Sequence, residues 1–324
     1  MNGGDTSRRR DGSEAIFTTG REKRKHARPK GYAAWQPQAA TRALLEQVDA
    51  VLDEYADHLP LTCRQVFYGL VGRFDYEKSE RAYDRLSEHL ARARRARRIP
   101  FDVIRDDGVV TYSSPWYKDQ SDFWNDTGRR IKGYLRDRQQ GQPIRVELWC
   151  EAAGMAPQLT HVADGYSVPV FSAGGFASLT AVRLIADRAL TRTVPTVLLY
   201  AGDFDPSGES IFDSITADAA AFVHEDRAVL SIDLISRKIA LTAEQVAAFR
   251  LPTAPAKKTD SRSRDWEGET CQLEALPPDA LAEIVHDAIR DVLDLDKWQE
   301  QVLLEFDDEV ALWRGLPAGT EGSQ

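Results

Sequence analysis

The chain has 324 residues, enough for two modest domains or for one domain with appendages. No apolar run approaches the length of a membrane span, and the polar, arginine-rich start is unlike a secretory signal, so we expect a cytoplasmic protein with no membrane partner. The three cysteines and six histidines are scattered along the chain, which argues against a disulfide framework and against a zinc site built from thiolates or imidazoles.

The net charge of −9 conceals an asymmetry between the two halves of the chain. Residues 1–150 sum to about +6 and residues 151–324 to about −15. A basic first half and an acidic second half are compatible with DNA held by one domain and a metal ion held by the other. Charges that only solvate two surfaces would explain the same count.

Residues 1–35 are rich in Gly, Arg, Lys and Ser and show no periodicity. This composition predicts a disordered basic tail that attracts phosphates without sequence preference, or a tail that only improves solubility.

Residues 36–115 show the pattern of three helices followed by two short strands. The first helix carries an apolar stripe after Thr41, the second begins after a predicted N-cap at Thr62, and the third ends in arginines. Two strands around the turn Asp106–Gly108 would then form a wing, so we expect a winged helix-turn-helix. Cations at the end of the third helix suit DNA phosphates, or simply a solvated helix end. The predicted DNA-binding residues are Arg92, Arg94, Arg95, Arg97 and Arg98.

Residues 116–142 are predicted to form a linking helix, with Trp116, Tyr117, Phe123 and Trp124 available for packing. Over residues 143–260 strands and helices alternate, which predicts an α/β domain with a Rossmann-like parallel sheet. Residues 261–313 form a predicted helical extension and residues 314–324 a loose tail. The predicted strands are IRVELWC, VPVFSA, TVLLYA and AVLSIDLI.

Acidic residues follow two of these strands. Glu151 ends the first strand, and Asp203 and Asp205 end the third. Ligands of parallel α/β sheets bind beyond the carboxyl ends of the strands, and three carboxylates without His or Cys suit Mg²⁺ or Mn²⁺. The second strand ends in Gly174 and Gly175, which leave room for a phosphate to approach.

The same residues have a simpler interpretation. Asp205 and Pro206 are an ordinary N-cap and N1 pair that starts a helix, although this leaves Asp203 and Glu151 without a role. The stretch DFDPSGESIFDS also mimics a calcium loop, but Ser214 stands where such a loop needs a bidentate Glu.

A strand-end Glu, a Gly-containing turn and a DxD motif before a helix resemble the Toprim domain. With a winged helix upstream, the chain resembles the A subunit of type IIB topoisomerases and the related meiotic double-strand-break transesterases more closely than it resembles the Toprim domain in general. The motif DxDPxG of that family matches Asp203, Asp205, Pro206 and Gly208 in GDFDPSGESI, and the resemblance covers roughly residues 60–290.

The resemblance implies that Tyr68 in the motif RQVFY is the nucleophile that attacks a DNA phosphate, with Arg64 and Glu151 also catalytic. Arg64 lies one helical turn before Tyr68, so the spacing predicts an outward-facing phenol beside a cation that favours phenolate. A half-buried tyrosine that only packs against its neighbours is the alternative.

The resemblance further implies Mg²⁺ held by Glu151, Asp203 and Asp205, double-stranded DNA as substrate, a homodimer that combines the tyrosine of one subunit with the metal of another, a separate ATPase subunit, and association with the nucleoid. The chain departs from the family pattern at Gln65, Phe67 and Ala152, where an acid, a second tyrosine and a lysine are usual. Three functions remain open: tyrosine transesterification of DNA, a Toprim nuclease that uses water, and a non-catalytic DNA-binding regulator.

Overall fold

The computed structural model describes residues 32–105, 114–172, 179–226, 233–255 and 268–317, without the side chains of residues 180 and 206–211. The predicted tails lie mainly outside these ranges, as do Gly174 and Gly175.

The first part of the described chain is a bundle of three helices, as the apolar periodicity predicted. Thr62 is confirmed as the N-cap of the second helix, because its hydroxyl accepts a hydrogen bond from Gln65 N at 3.1 Å while Gln65 Oε1 accepts from Thr62 N at 2.9 Å. Fully buried Val48, Leu70 and Leu86 each come from a different helix and meet in one core. The helices are α1 (Ala39–Glu54), α2 (Cys63–Phe74) and α3 (Glu80–Arg95).

Two short strands flank the bundle. Strand β1 (Leu61–Thr62) pairs in parallel with β2 (Ile104–Arg105). The sequence predicted that the second of these strands would form a hairpin with a strand after Gly108. The turn and the second strand of that hairpin fall within residues 106–113, outside the described residues.

The linking helix α4 (Gln120–Lys132) is shorter than the predicted one. Trp116 precedes it and is 79% exposed, so the prediction that this side chain packs is wrong. Beyond α4, the Tyr134 hydroxyl donates to Asp308 at 3.0 Å, and Arg136 also pairs with Asp308 in the last helix of the described chain.

A four-stranded parallel sheet forms the second part of the chain, which confirms the expected α/β class and is compatible with a Rossmann-like fold. The strand order is β4-β3-β5-β6, so the first strand in sequence lies inside the sheet. The strands β3 and β5 are buried along almost their whole length, which explains their continuous apolar sequences. The strands are β3 (Arg145–Cys150), β4 (Val170–Ser172), β5 (Thr196–Ala201) and β6 (Leu234–Ala240).

The last strand differs from the predicted AVLSIDLI, which covers residues 228–235. Residues 227–232 lie outside the described ranges, and β6 begins at Leu234 and extends through LISRKIA. It is an edge strand whose first five residues alternate between partly buried and exposed positions and whose last two are buried. Its sequence is therefore less apolar than that of an interior strand, and a search for apolar runs placed the strand too early.

Helices cover both faces of the sheet. Leu159 of α5 and Leu281 of α9 pack in one core with Leu148 and Leu199, while Ile185 of α6 and Phe212 of α7 pack on the other face with Leu198. A second small pair, β7 (Ala254–Pro255) and β8 (Glu269–Thr270), is antiparallel. The remaining helices are α5 (Ala156–Ala163), α6 (Leu179–Leu190), α7 (Pro206–Asp226), α8 (Ala243–Ala248), α9 (Pro278–Arg290) and α10 (Leu295–Arg314), the last two of which confirm the predicted helical extension.

A buried ion cluster fastens α6 to the sheet. Glu147 on β3 is fully buried and accepts two hydrogen bonds from Arg188, at 2.8 and 2.9 Å, while Arg192 lies 2.8 Å from the same carboxylate. The Trp149 indole N–H also donates a hydrogen bond to the Glu147 carboxylate, at 3.1 Å. Because both carboxylate oxygens are satisfied within the domain, this acid belongs to the scaffold.

None of the helices in the part of the chain that the structure describes could cross a lipid bilayer.

Candidate active site at the carboxyl edge of the sheet

The three acids predicted to hold a metal ion follow two neighbouring strands. Cys150 at the end of β3 is paired with Ala201 at the end of β5, so Glu151 and the segment from Gly202 onward leave the sheet at the same edge. Glu151 N donates to Ala201 O at 3.2 Å, which holds the two strand ends together. Asp205 immediately precedes α7, which begins at Pro206 as the N-cap interpretation predicts.

Asp203 carries a carboxyl whose pKa is raised well above its usual range. Burial, together with the nearby carboxylates of Glu274, Glu151 and Asp205, raises this pKa to about 7, against the opposite effect of a hydrogen bond from Leu273 N. That hydrogen bond measures 2.9 Å. Several negative charges thus act on one another at this edge of the sheet.

Glu151 is held by a neighbouring phenol. The Tyr200 hydroxyl donates to Glu151 Oε2 at 3.3 Å, and burial together with the Glu151 charge raises the pKa of that phenol. Gly202 lies beside the same ring, since a Cβ atom there would come within 2.4 Å of the Tyr200 hydroxyl oxygen. Gly202 is therefore required for this close approach of backbone and ring.

A segment that the sequence did not single out completes this edge. Residues Cys271–Ala275, here called the bridging segment, lie against the backbone that carries the acids. Phe204 N donates to Cys271 O at 2.8 Å and Cys271 N to Phe204 O at 2.9 Å. The bridging segment also contributes Glu274, a carboxylate that is 8% exposed and acts on Asp203.

Tyr68 lies against the bridging segment. Its hydroxyl donates to Gln272 Oε1 at 2.8 Å, and its ring packs in both the helical core and the core of the sheet domain. The Lys78 ammonium lies 5.9 Å from the centre of the ring. The sequence predicted an outward-facing phenol, whereas the side chain is partly buried between the two parts of the molecule.

The predicted effect of Arg64 on this phenol is outweighed. The Arg64 charge does lower the pKa of Tyr68, but burial, followed by the charges at Cys271 and Glu274, raises it to about 12. The guanidinium itself lies 5.8 Å from the centre of the Tyr83 ring. Tyr68 is therefore a neutral hydrogen-bond donor at neutral pH, and the prediction that its surroundings favour phenolate is wrong for this state of the molecule.

Gln65 also serves the contact between the helices and the sheet domain. It is buried, and its amide donates to Gln158 on α5. Gln158 in turn donates to Pro278 O at 3.1 Å. A neutral side chain at this position can act as donor and acceptor at once, which a carboxylate cannot.

A cleft of about 580 Å³ opens beside Tyr68. Its walls come from α1 and α2 on one side and from the bridging segment and residues 249–252 on the other. The ion pair of Glu54 and Arg73 lines this cleft, and so do Glu274 and Tyr68. Glu151, Asp203 and Asp205 do not line this cleft.

The predicted DNA-binding arginines cluster at and just beyond the end of α3. Arg92 pairs with Glu88, Arg94 lies 4.7 Å from the centre of the Phe101 ring, and Arg97 lies 4.1 Å from that of Tyr32. Arg92, Arg97 and Arg98 are exposed, while Arg94 and Arg95 are partly buried. Part of this positive charge is thus available on the surface.

The donor atoms at the acid edge are carboxylate oxygens, which suit Mg²⁺ or Mn²⁺ in their chemistry. Among the residues that the structure describes, no three His, Cys, Asp or Glu side chains are grouped closely enough to hold one ion. Glu151 and Asp203 are each occupied by a hydrogen bond, from Tyr200 and Leu273 respectively. The metal site predicted from the sequence stays a prediction, and binding would require these side chains to turn toward a common point.

Neither a protein-family model nor a curated protein matches this chain.

Proposed function

We propose that this protein cleaves DNA strands by Mg²⁺-dependent transesterification, with Tyr68 as the nucleophile. One observation carries the proposal: the Tyr68 hydroxyl bonds to Gln272, and the next residue of the bridging segment bonds to Asp203. A phenol and a group of carboxylates are thereby held at one edge of a parallel sheet, where ligands of such folds bind. The winged helix-turn-helix and Toprim domains that the sequence resembles are part of this proposal.

In the proposed reaction the phenolic oxygen of Tyr68 forms a bond to a DNA phosphorus, and the bond from that phosphorus to one sugar oxygen breaks. The phenolic proton is released, and the departing sugar oxygen takes up a proton to become a hydroxyl. The free energy of the broken phosphodiester is retained in the tyrosyl phosphodiester, so the step is reversible.

A divalent ion, when bound by Glu151, Asp203 and Asp205, would supply charge stabilisation at the scissile phosphate. The rest falls to the chain itself. Arg64 lowers the pKa of Tyr68, and the exposed arginines after α3 contact the phosphate backbone of double-stranded DNA. The proposal includes a homodimer, a separate ATPase subunit and association with the nucleoid, as the resemblance implies.

Water is the competing nucleophile. The raised pKa of Tyr68, about 12, disfavours phenolate and supports a Toprim nuclease in which Tyr68 is structural. In that case the acids act on a water molecule and no covalent protein–DNA link forms.

A detergent-trapping assay separates these functions. Supercoiled DNA is incubated with Mg²⁺ and wild type, Tyr68→Phe or Asp203→Asn, and both nicks and protein-linked DNA are counted. Tyr134→Phe is the matched control, because Tyr134 bonds to Asp308 on α10, away from the acid edge. We expect linked DNA in wild type and the control, and cutting in neither of the other variants.

Cutting that survives Tyr68→Phe and is lost in Asp203→Asn would replace transesterification by water-dependent cleavage. DNA binding that is indifferent to Mg²⁺, without cleavage under any condition, would leave the non-catalytic regulator.

A further inference from the structure

We infer that two copies of this chain pair through the outward face of α10, with the two α10 helices parallel and related by a two-fold axis. The face consists of Gln299, Leu303, Phe306, Val310 and Trp313, here called the outer stripe. A homodimer is part of the proposed function, but that proposal assigns no contact surface to it. The inference does not rest on the proposed chemistry, because α10 carries none of the proposed site residues.

The first observation is that α10 turns a polar side toward its own chain. Gln301 is buried and accepts a hydrogen bond from Arg136 at 2.8 Å. Glu305 pairs with Arg138 at 2.6 Å, and both side chains of this ion pair are only 14% exposed. Arg136 also pairs with Asp308, further along the same side of the helix. A surface helix usually packs its apolar side inward, so the arrangement of α10 is reversed.

The second observation is that the apolar side of α10 faces water. At 3.6 residues per turn, Leu303, Phe306 and Val310 fall within about 60° of one another around the helix axis, opposite the buried Gln301. Leu303 is 63% exposed and Phe306 is 67% exposed, while Val310 and Trp313 are partly exposed. Large apolar side chains that stay in contact with water along one line of a helix favour a partner that covers them.

The spacing and width of the outer stripe favour another helix as this partner. Its five residues follow one another at intervals of four and three, which is the a/d pattern of a coiled coil over two heptads. A stripe this narrow is typical of pairing with one helix, whereas a helix that packs on a domain core has a broader apolar face. The α10 helix of a second copy offers a matching stripe, and a two-fold pair is the commonest assembly of soluble proteins. Residues 318–324 hold a single apolar side chain, Ala318, and are poorly suited to cover the stripe.

The charges beside the outer stripe favour the parallel orientation. With Leu303 and Val310 at a positions, Glu309 occupies a g position and Arg314 an e position. In a parallel pair, Glu309 of each subunit therefore meets Arg314 of the partner subunit, and the preceding g position holds an uncharged residue. Glu309 also accepts a hydrogen bond from Trp313 of its own chain at 3.3 Å, which holds the carboxylate beside the stripe. An antiparallel pair sets g against g and e against e, and so loses the attraction between Glu309 and Arg314.

The outer stripe is short, so the expected dimer is weak. Interfaces that bury less than about 1,200 Å² are typical of transient complexes, and a contact over two heptads belongs to this class. We expect a dissociation constant of about 1 to 100 μM.

Sedimentation equilibrium of the whole chain, at concentrations that span this range, tests the surface. It compares wild type with Leu303→Gln and with the matched control Leu304→Gln. Leu304 is also exposed but lies about 100° around the helix axis from Leu303. We expect wild type and Leu304→Gln to form dimers with similar dissociation constants. Leu303→Gln should raise the constant at least tenfold, because each dimer loses two buried leucines. Wild type that stays monomeric throughout, or equal constants in the two variants, would overturn the inference.

The orientation has a test of its own. In a parallel pair, Val310 of one subunit lies beside Val310 of the partner subunit, so Val310→Cys should form a disulfide-linked dimer under mild oxidation. Leu304→Cys should give no more cross-link than wild type with its three cysteines. Glu309→Arg should weaken the pair, and its combination with Arg314→Glu should restore it. Without a cross-link in Val310→Cys, or without recovery in the double exchange, the parallel pair is refuted.

The failure of this inference and the failure of the proposed function are distinguishable. Dimers that need Leu303 but form no covalent protein–DNA complex would support the pairing surface and refute the proposed chemistry. Covalent complexes formed by a protein that stays monomeric in sedimentation would refute the pairing surface alone.

Discussion

Replacing Asp203 by Asn should stabilise the metal-free protein, and should do so more at pH 8 than at pH 5. The folded protein raises the pKa of Asp203 from 3.8 to about 7, so the folded state binds this proton more tightly than the unfolded state does. The stability that this group contributes therefore falls as the pH rises from 3.8 through about 7. Asn removes the charge and keeps an oxygen that can accept the hydrogen bond from Leu273 N.

The size of the effect follows from the two pKa values. Above pH 7 the difference between these pKa values destabilises the folded state by about 4 kcal/mol, and about 1.5 kcal/mol of this destabilisation is already present at pH 5. A weaker bond from Leu273 N to the neutral amide subtracts about 1 kcal/mol at both pH values. The gain from Asp203→Asn should thus be about 2 to 3 kcal/mol larger at pH 8 than at pH 5.

Urea unfolding at the two pH values measures this difference directly. Asp218→Asn, at an exposed position of α7, is the matched control and should show no comparable gain. Added Mg²⁺ at pH 8 should stabilise wild type more than Asp203→Asn, which reduces the difference between their free energies of unfolding. An equal gain in the free energy of unfolding at both pH values, or a loss at pH 8, would refute the claim that the surroundings of Asp203 disfavour its charged form.

Three further outcomes are expected. Glu147→Gln should lower the free energy of unfolding by about 3 kcal/mol, because it leaves two partly buried guanidiniums without their carboxylate. The control Asp187→Asn, which removes an exposed ion pair of α6, should lower it by less than about 1 kcal/mol. Equal losses of stability in the two variants would contradict the buried cluster. Thr62→Ala should lower the free energy of unfolding in urea by about 1 kcal/mol, because it removes the capping box, whereas Thr62→Ser should keep most of that stability. Mixed dimers of Tyr68→Phe with Asp203→Asn should form covalent complexes, because a site shared by two chains can combine the intact Tyr68 of one with the intact Asp203 of the other. Their absence would show that each site is complete in one chain.

The helices and interior strands could be predicted because their burial is recorded in local patterns. Fully buried β5 appears as a continuous apolar run, and the stripe of α1 appears as the spacing of Leu45, Val48 and Leu52. The edge strand β6 is only half buried, so no apolar run marks its position. Sequence periodicity reports how much of an element is covered, and too little of the surface of β6 is covered for this pattern to locate the strand.

The candidate site was predictable only where it follows a strand end. Glu151, Asp203 and Asp205 were found because parallel strands bring their carboxyl ends to one edge. Gln272 and Glu274 were missed because they are far in sequence from Tyr68 and Asp203, the residues on which they act through tertiary contacts. The acid Glu274 in the mostly apolar stretch CQLEALPP was an available signal, and it does not specify which partner the acid meets.

The state of Tyr68 was not predictable from its own helix. Helical spacing correctly places Arg64 one turn away, and that charge acts in the expected direction. The larger effect is burial against the bridging segment, which depends on how the helical bundle packs on the sheet domain.

The proposed chemistry depends most directly on a divalent ion at the carboxyl edge of the sheet. Isothermal titration calorimetry of Mg²⁺ and Mn²⁺ into wild type and Asp203→Asn, with and without a DNA duplex, measures that binding. We predict saturable uptake by wild type that is weakened at least tenfold in Asp203→Asn and unchanged in Asp218→Asn. Heats that are absent in wild type under both conditions, or identical in wild type and Asp203→Asn, would contradict the account.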